Sequence, residues 1–321
     1  TGRVPTTWIG SGSNVGGMNF SVRGRYIYIG GSISETISTF DVSTPSRPLK
    51  VGTYSSGQST NTTVVQGRYM YTVDSGDFGL YANDISNPSA PTRLNAGVSN
   101  ISFSDGYPGL AVQGRYLYAA DSGNYKFSII DISNPHKLQR VANVGAPNGN
   151  GMKSVAVQGR YAYTVSPYES NFLVWDISNP LDPTVVGVSA MAGLTNSTSV
   201  AVQGRYAYVT ETATDRLQVF DVSNPSSPTP AGTLTGFNDP SDVVVSGRYA
   251  YVTDLGSDTL VFVDISNPSS PVRLGSAPTG DRPRDVEVQG RYAYVVNRDL
   301  GFASSLTIYD LGGSYIQTLE A

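Results

Sequence analysis

The tripeptide Gly-Arg-Tyr occurs seven times in this chain, beginning at Gly24, Gly67, Gly114, Gly159, Gly204, Gly247 and Gly290, at spacings of 43, 47, 45, 45, 43 and 43 residues. A second anchor, Asp followed by Ile, Val or Leu, begins at Asp41, Asp84, Asp131, Asp176, Asp221, Asp264 and Asp310, and in the first six copies it runs on into Ser-(Asn/Thr)-Pro. A fixed period means that each unit is one supersecondary element, unable to bury its apolar face alone and obliged to stack on its neighbours. A unit of about 45 residues holds four strands and their turns, the size of one propeller blade. The spacing therefore predicts an all-β, seven-bladed β-propeller with about four antiparallel strands per blade, forming a single domain over residues 1–321.

Within a unit the apolar period is two. In "SDVVVSGRYAYVTD" we read a strand at 242–245, a tight turn at Ser246-Gly247-Arg248, and a second strand at 249–253. "LVFVDI" is a third strand, "SNPSSP" a Pro-fixed turn, and "VRLGSA" a fourth strand. The two tyrosines of each Tyr-x-Tyr pair share one face of the second strand, and these pairs account for 14 of the 21 tyrosines. Their presence in every unit assigns them to packing between sheets rather than to a ligand. The recurring Arg and Asp are read in the same way, as braces and turn caps, because an active site is not written seven times around a ring.

Composition excludes several function classes. Only 14% of residues are charged and the net charge is −4, so no basic footprint for nucleic acid exists. No apolar run is long enough to span a membrane as a helix. With no cysteine and one histidine, His136, there is no thiolate chemistry, no disulfide framework and no histidine cluster. The chain opens at Thr1 without Met or a signal-peptide pattern, as expected of a processed protein or an excised domain.

The stretch "VFVDISNPSSPVRLG" (261–275) resembles the signature of the LVIVD-repeat family of bacterial and archaeal proteins, and the resemblance extends from about Pro5 to Tyr309. It implies a seven-bladed propeller, often in a cell-surface or secreted setting. It implies no single activity, so it adds fold and location rather than chemistry.

A ring must close. "VPTTWIGSGSNVGG" at the N-terminus has the form of a fourth strand, and "DLGGSYIQTLEA" at the C-terminus reads as a strand after a Gly-Gly turn. Both segments compete for the outer place in the last blade, which could also hold five strands. The favoured reading is closure by the N-terminal strand, pairing with C-terminal segments in the last blade.

The two anchors lie in turns on one face and barely vary. The turn between strands two and three, and the link from each blade to the next, lie on the other face and differ from unit to unit. A rigid scaffold with variable loops on one face is where binding sits. The candidate binding residues there are Phe103, Tyr107, Tyr125, Tyr168 and Phe237 for stacking, and Asn148, Asn196, Asn238, Asp239, Arg282, Arg284 and Asp285 for directional hydrogen bonds. Asp74, Asp121, Glu211 and Asp254 recur three residues after the second tyrosine, beside Gly31, Ser166 and Asn297 in the other units. This partial acidic ring is a weak candidate for Ca²⁺, which takes oxygen ligands, against the plainer role of starting a turn. No other cofactor is expected.

The leading expectation is a non-catalytic recognition or adhesion module, extracellular or on a cell or virion surface, that binds a glycan or protein partner through the variable face. One alternative is a glycosidase or polysaccharide lyase with its site at the central mouth, where Asp239, Asp242, Asp285 and Glu287 are the first carboxylates to suspect. A clustered acidic pocket with shifted pKa values would favour it. Another is a structural subunit of a surface layer, filament or viral appendage, assembled through chain-to-chain contacts.

Overall fold

The computed structural model describes residues 10–13, 19–31, 35–56, 60–74, 77–95, 103, 108–121, 123–147, 151–166, 171–190, 197–298 and 304–312. Among them the chain forms seven four-stranded antiparallel sheets and no α-helix. The seven innermost strands are Phe20–Arg23, Thr60–Gln66, Gly109–Gln113, Ser154–Gln158, Ser197–Gln203, Pro240–Ser246 and Pro283–Gln289. Each touches the next, and the first touches the last, so the sheets close into a ring around a central axis. This is the seven-bladed propeller that the repeat predicts.

Each Gly-Arg turn follows from its glycine. All seven glycines sit at φ between 58° and 63°, in the left-handed region that a Cβ disfavours. With the glycine first of two central residues, the turn carries the twist that a hairpin needs. The arginine that follows ion-pairs with the Asp ending the third strand in every blade: Arg25 with Asp41, Arg68 with Asp84, Arg115 with Asp131, Arg160 with Asp176, Arg205 with Asp221, Arg248 with Asp264, and Arg291 with Asp310. Its carbonyl also accepts the N–H of the residue after that Asp, as in Val222 to Arg205 at 2.8 Å. In blades one to six the other oxygen of the Asp caps the Ser two residues on, and in blade seven it caps Gly312. Both anchors thus lock the same face, and the paired Arg and capped N–H hold Asp131, Asp176 and Asp221 down to about 2.

The period-two pattern survives best in the outer strands. The second and third strands of each blade are buried almost throughout, because neighbouring blades cover both of their faces. The second tyrosine of each pair lies in this interblade core, and aromatic rings bridge the blades: Phe127 stacks on Trp175 at 4.7 Å and Phe172 on Phe220 at 4.6 Å. Gly187 in the outer strand of blade four lies so close to the next blade's Pro turn that a Cβ there would sit 2.0 Å from the Pro225 carbonyl oxygen.

Closure uses the N-terminal strand. Gly10–Ser13 pairs antiparallel with Ser304–Asp310 and takes the outer place in blade seven, with Gly10 opposite Ile308 and Ser13 opposite Ser305. The C-terminal segment from residue 313 onward lies outside the described residues.

Candidate functional site

The inner strands have no sheet partner on the axial side, so their N–H groups there need another acceptor. A side chain from the preceding blade supplies it. Asn19 Oδ1 accepts the Thr63 N–H at 2.7 Å and Ser154 Oγ accepts the Val200 N–H at 3.2 Å. In the last blades the same position carries carboxylates: Asp242 accepts from Val286 at 2.9 Å and Asp285 from Phe20 at 3.1 Å. Two residues further along, Glu287 accepts the Val22 N–H at 2.8 Å. Ser199 Oγ donates to the other oxygen of Asp242 at 2.6 Å.

Asp242, Asp285 and Glu287 therefore gather in one sector of the axis. Burial pushes Asp285 well above the usual carboxylate range, and the Asp242 and Glu287 charges push it the same way. Glu287 is pushed up to about 8, first by burial, although the Val22 N–H favours its charged form. Both residues are only half-buried, which limits the rise without reversing it.

At the variable-face end of blade seven stand Arg282, Arg284 and Arg298. Arg282 is exposed at φ 53°, held there by its N–H to Asp258 Oδ1 at 2.7 Å, and its carbonyl accepts the Arg298 N–H at 3.2 Å. Arg284 is the extra residue of a bulge between Pro283 and Asp285, a device that re-aims a side chain at a strand end. Its Nε is buried with no hydrogen-bond partner. Burial lowers its pKa first, Arg282 and Arg298 lower it further, and Asp239 pulls it back up.

The variable loops are tied down mainly by backbone. Just before the third strand, Glu35, Phe78, Tyr125, Asp215 and Asp258 all adopt positive φ. The carbonyl of each accepts an N–H from the following link: Ser56, Phe103, Ala146, Phe237 and Thr279. Because the tether is main chain to main chain, the side chains around it are free to differ.

The structure separates the residues named from sequence. Phe103 is fully buried in the core between blades two and three. Phe237 is also buried, with the Arg273 guanidinium 5.2 Å above its ring. Tyr125 is 47% exposed on the variable face, where it is available for contact. Asn238 is exposed and its N–H donates to Asp254 Oδ1 at 2.7 Å, while Asp239 donates to Asp215 Oδ1 at 2.8 Å. Arg282, Arg284 and Asp285 are brought together on blade seven. Tyr107, Asn148, Tyr168 and Asn196 lie outside the described residues.

The four acidic-ring residues are buried, each with partners of its own. Asp74 binds Arg93 at 2.8 Å and Thr60 at 3.1 Å, and burial pushes it up to about 6 against the pull of Arg93. Asp121 accepts from Asn124 at 2.8 Å, Glu211 pairs with Arg216 and Thr214, and Asp254 sits 3.5 Å from Arg273. Among the described residues no group of three or more His, Asp or Glu has the arrangement to hold a metal ion. Nor is any helix long and apolar enough to cross a membrane, again among the described residues. Sequence reasoning missed Arg298, whose only signal is the longer spacing, 16 against 13 residues, between Tyr294 and Asp310 in the last unit.

The LVIVD-repeat profile matches residues 17–56, 57–95, 108–144, 150–189, 195–235, 239–279 and 282–310. The chain belongs to the LVIVD-repeat family. Comparison with curated proteins gives no match. Solved structures similar to this LVIVD-repeat protein include Kuenenia stuttgartiensis hydrazine synthase, at 15% identity over 92% of this chain and 96% of that one, with a TM-score of 0.75. They also include the periplasmic gluconolactonase PpgL of Pseudomonas aeruginosa, at 15% identity, 85% and 87% coverage and a TM-score of 0.69. BamB from Moraxella catarrhalis matches at 13% identity, 91% and 82% coverage and a TM-score of 0.61. At these identities the likeness is one of fold alone.

Proposed function

We propose that this LVIVD-repeat protein is a non-catalytic recognition module that engages a glycan or protein partner through its variable-loop face. The observation that carries the reading is the contrast between faces. One face is fixed by the same Arg–Asp pair in all seven blades. On the other, recurring main-chain bonds hold loops whose side chains differ from blade to blade. A stiff ring that displays changeable side chains on one face suits recognition. A low content of charge and a lack of cysteine accord with an extracellular or surface setting.

The test is a glycan array together with partner capture, run on the intact chain and on Tyr125→Ala and Asn238→Ala variants. A ligand retained by the intact chain and weakened by either substitution supports the reading. A ligand lost only on substituting Arg47, which lies on the anchored face, would overturn it.

A second reading is acid–base hydrolysis at the axis, favoured by the proton-retaining carboxyls of Asp285 and Glu287. Capping the next strand does not require charge there, since Asn19 and Ser154 do it without any. Hydrolysis of a lactone or glycoside panel, abolished by Glu287→Gln in a protein of unchanged fold, would establish it.

A further inference from the structure

The residue before each turn glycine ends an inner strand at the anchored-face mouth of the axis. Where that residue is Gln289, Gln113 or Gln158, its side chain accepts the N–H of the next blade's turn glycine, Gly24, Gly159 or Gly204, at 2.8–3.0 Å and donates back to the same glycine's carbonyl. Blade one breaks this series. Arg23 holds the same register position, opposite Tyr26 as Gln289 is opposite Tyr292, so its side chain leaves the strand toward Gly67. A guanidinium carries donors and no acceptor, and it cannot take the Gly67 N–H. Among the described residues neither the Arg23 guanidinium nor the Gly67 N–H has a hydrogen-bond partner, and the side-chain amide of Gln66 beside them has none either. Arg23 and Gly67 are exposed, and the space over Gly67 is open: a Cβ there would meet nothing within 4 Å. Arg25 and Arg68, on the adjoining turns, are already committed to Asp41 and Asp84 and lie over the Tyr26 and Tyr69 rings at 5.1 and 5.2 Å. Glu287, one layer down the axis, accepts the Val22 N–H at 2.8 Å, and burial keeps its proton on up to about 8, so it sets no charge against an anion at neutral pH.

We propose that the Arg23 guanidinium, the Gly67 N–H and the Gln66 amide form an oxyanion-binding site at the anchored-face mouth of the axis, between blades one and two, for a small molecule that bears a carboxylate or a phosphate. An oxyanion supplies the acceptors that this junction lacks because arginine stands where glutamine stands elsewhere. The guanidinium fork matches two oxygens of either group, and hydrogen bonds to an ionised acceptor are the strong ones. The frame around the donors is fixed: Gln289 holds Gly24 on one side, and on the other the Gly67 turn sits at φ 60° with the Arg68 carbonyl accepting the Ile85 N–H at 2.9 Å. The site lies on the face opposite the variable loops, so it goes beyond the recognition reading and does not depend on it.

The experiment is calorimetric titration of the full chain with inorganic phosphate and with citrate at constant ionic strength, repeated on Arg23→Gln, Gln66→Ala and Arg47→Gln. Arg23→Gln writes the residue of the other junctions into this one and gives Gly67 an acceptor, so the variant keeps the fold. The expected result is saturable binding of at least one anion, weakened about tenfold or more in Arg23→Gln and by less in Gln66→Ala. Arg47→Gln, which removes an exposed arginine elsewhere on the same face, should bind as the parent does. The Gly67 amide resonance should move during the titration of the parent and stay in place in Arg23→Gln. Binding of phosphate alone makes the ligand a phosphate ester, binding of citrate alone makes it a carboxylic acid, and binding of both keeps the site for either. No saturable binding, binding unchanged in Arg23→Gln, or an equal loss in Arg47→Gln overturns the proposal.

Discussion

The Gln289 side chain grips Gly24 at both ends: its Oε1 accepts the Gly24 N–H at 3.0 Å and its amide donates back to the Gly24 carbonyl. The residues lie 265 positions apart, so this bond spans the seam where the last blade meets the first. Gln113 to Gly159 and Gln158 to Gly204 repeat the same two-way grip inside the ring. Each fastens the inner strand of one blade to the hairpin turn of the next. Two hydrogen bonds are lost in Gln289→Ala, and we expect a cost of about 1–2 kcal/mol. Gln158→Ala is expected to cost the same, because the seam carries the same two-way bond as the junction of blades four and five. Urea midpoints of the two variants make the comparison.

The outer-strand glycine of blade four tests how closely blades approach. Gly187→Ala places a methyl against the Pro225 carbonyl, which the next blade's backbone must move to admit. We expect destabilisation of about 1–3 kcal/mol or more by denaturant unfolding. Gly145→Ala is the control: its nearest neighbour is the flexible Lys126 Nζ at 3.6 Å, and stability should stay within about 0.5 kcal/mol of the parent.

The axial carboxyls set the direction of a pH effect. Between the ordinary Glu value of 4.5 and about 8, Glu287 keeps its proton when folded and releases it when unfolded, and Asp285 acts in the same sense. The folded state then binds more protons than the unfolded one, so this contribution to stability falls as pH rises through that window. Glu287→Gln removes part of the dependence. Its melting temperature at pH 8.5 should exceed the parent's by roughly 2–4 °C, with a smaller gain at pH 5.

Closure by the N-terminal strand makes the first residues structural. Deleting residues 1–13 removes Gly10–Ser13 and bares the Ser304–Asp310 edge. An unpaired edge templates association with other chains. The truncated chain should melt earlier and scatter light on heating in a concentration-dependent way. Equal melting and no scattering would show that the seam does not depend on this strand.

Much of the architecture was legible because it is written in local and periodic terms. Gly24 and its six counterparts specify a turn with positive φ, the Tyr-x-Tyr pairs specify a strand face, and the constant spacing specifies the stacking. The site was legible only in part. Phe103 and Phe237 have the composition of loop aromatics, yet both are buried, since a link that crosses between blades can turn a ring inward. The acidic ring was visible as a recurrence, but the arginines that engage Asp74, Glu211 and Asp254 lie on other strands.

The sequence alone determined the number of blades, the strands within each and the face on which variation collects, because turn chemistry and alternation act within a few residues and repeat. Only the tertiary structure decided which terminus closes the ring, which side chains cap the axial strand edges, and that Asp242, Asp285 and Glu287 meet while Arg282, Arg284 and Arg298 crowd together. Those relations join residues one blade, or a whole ring, apart. Their energies come from burial and from charge at close range, which exist only once the seven sheets have come together around one axis.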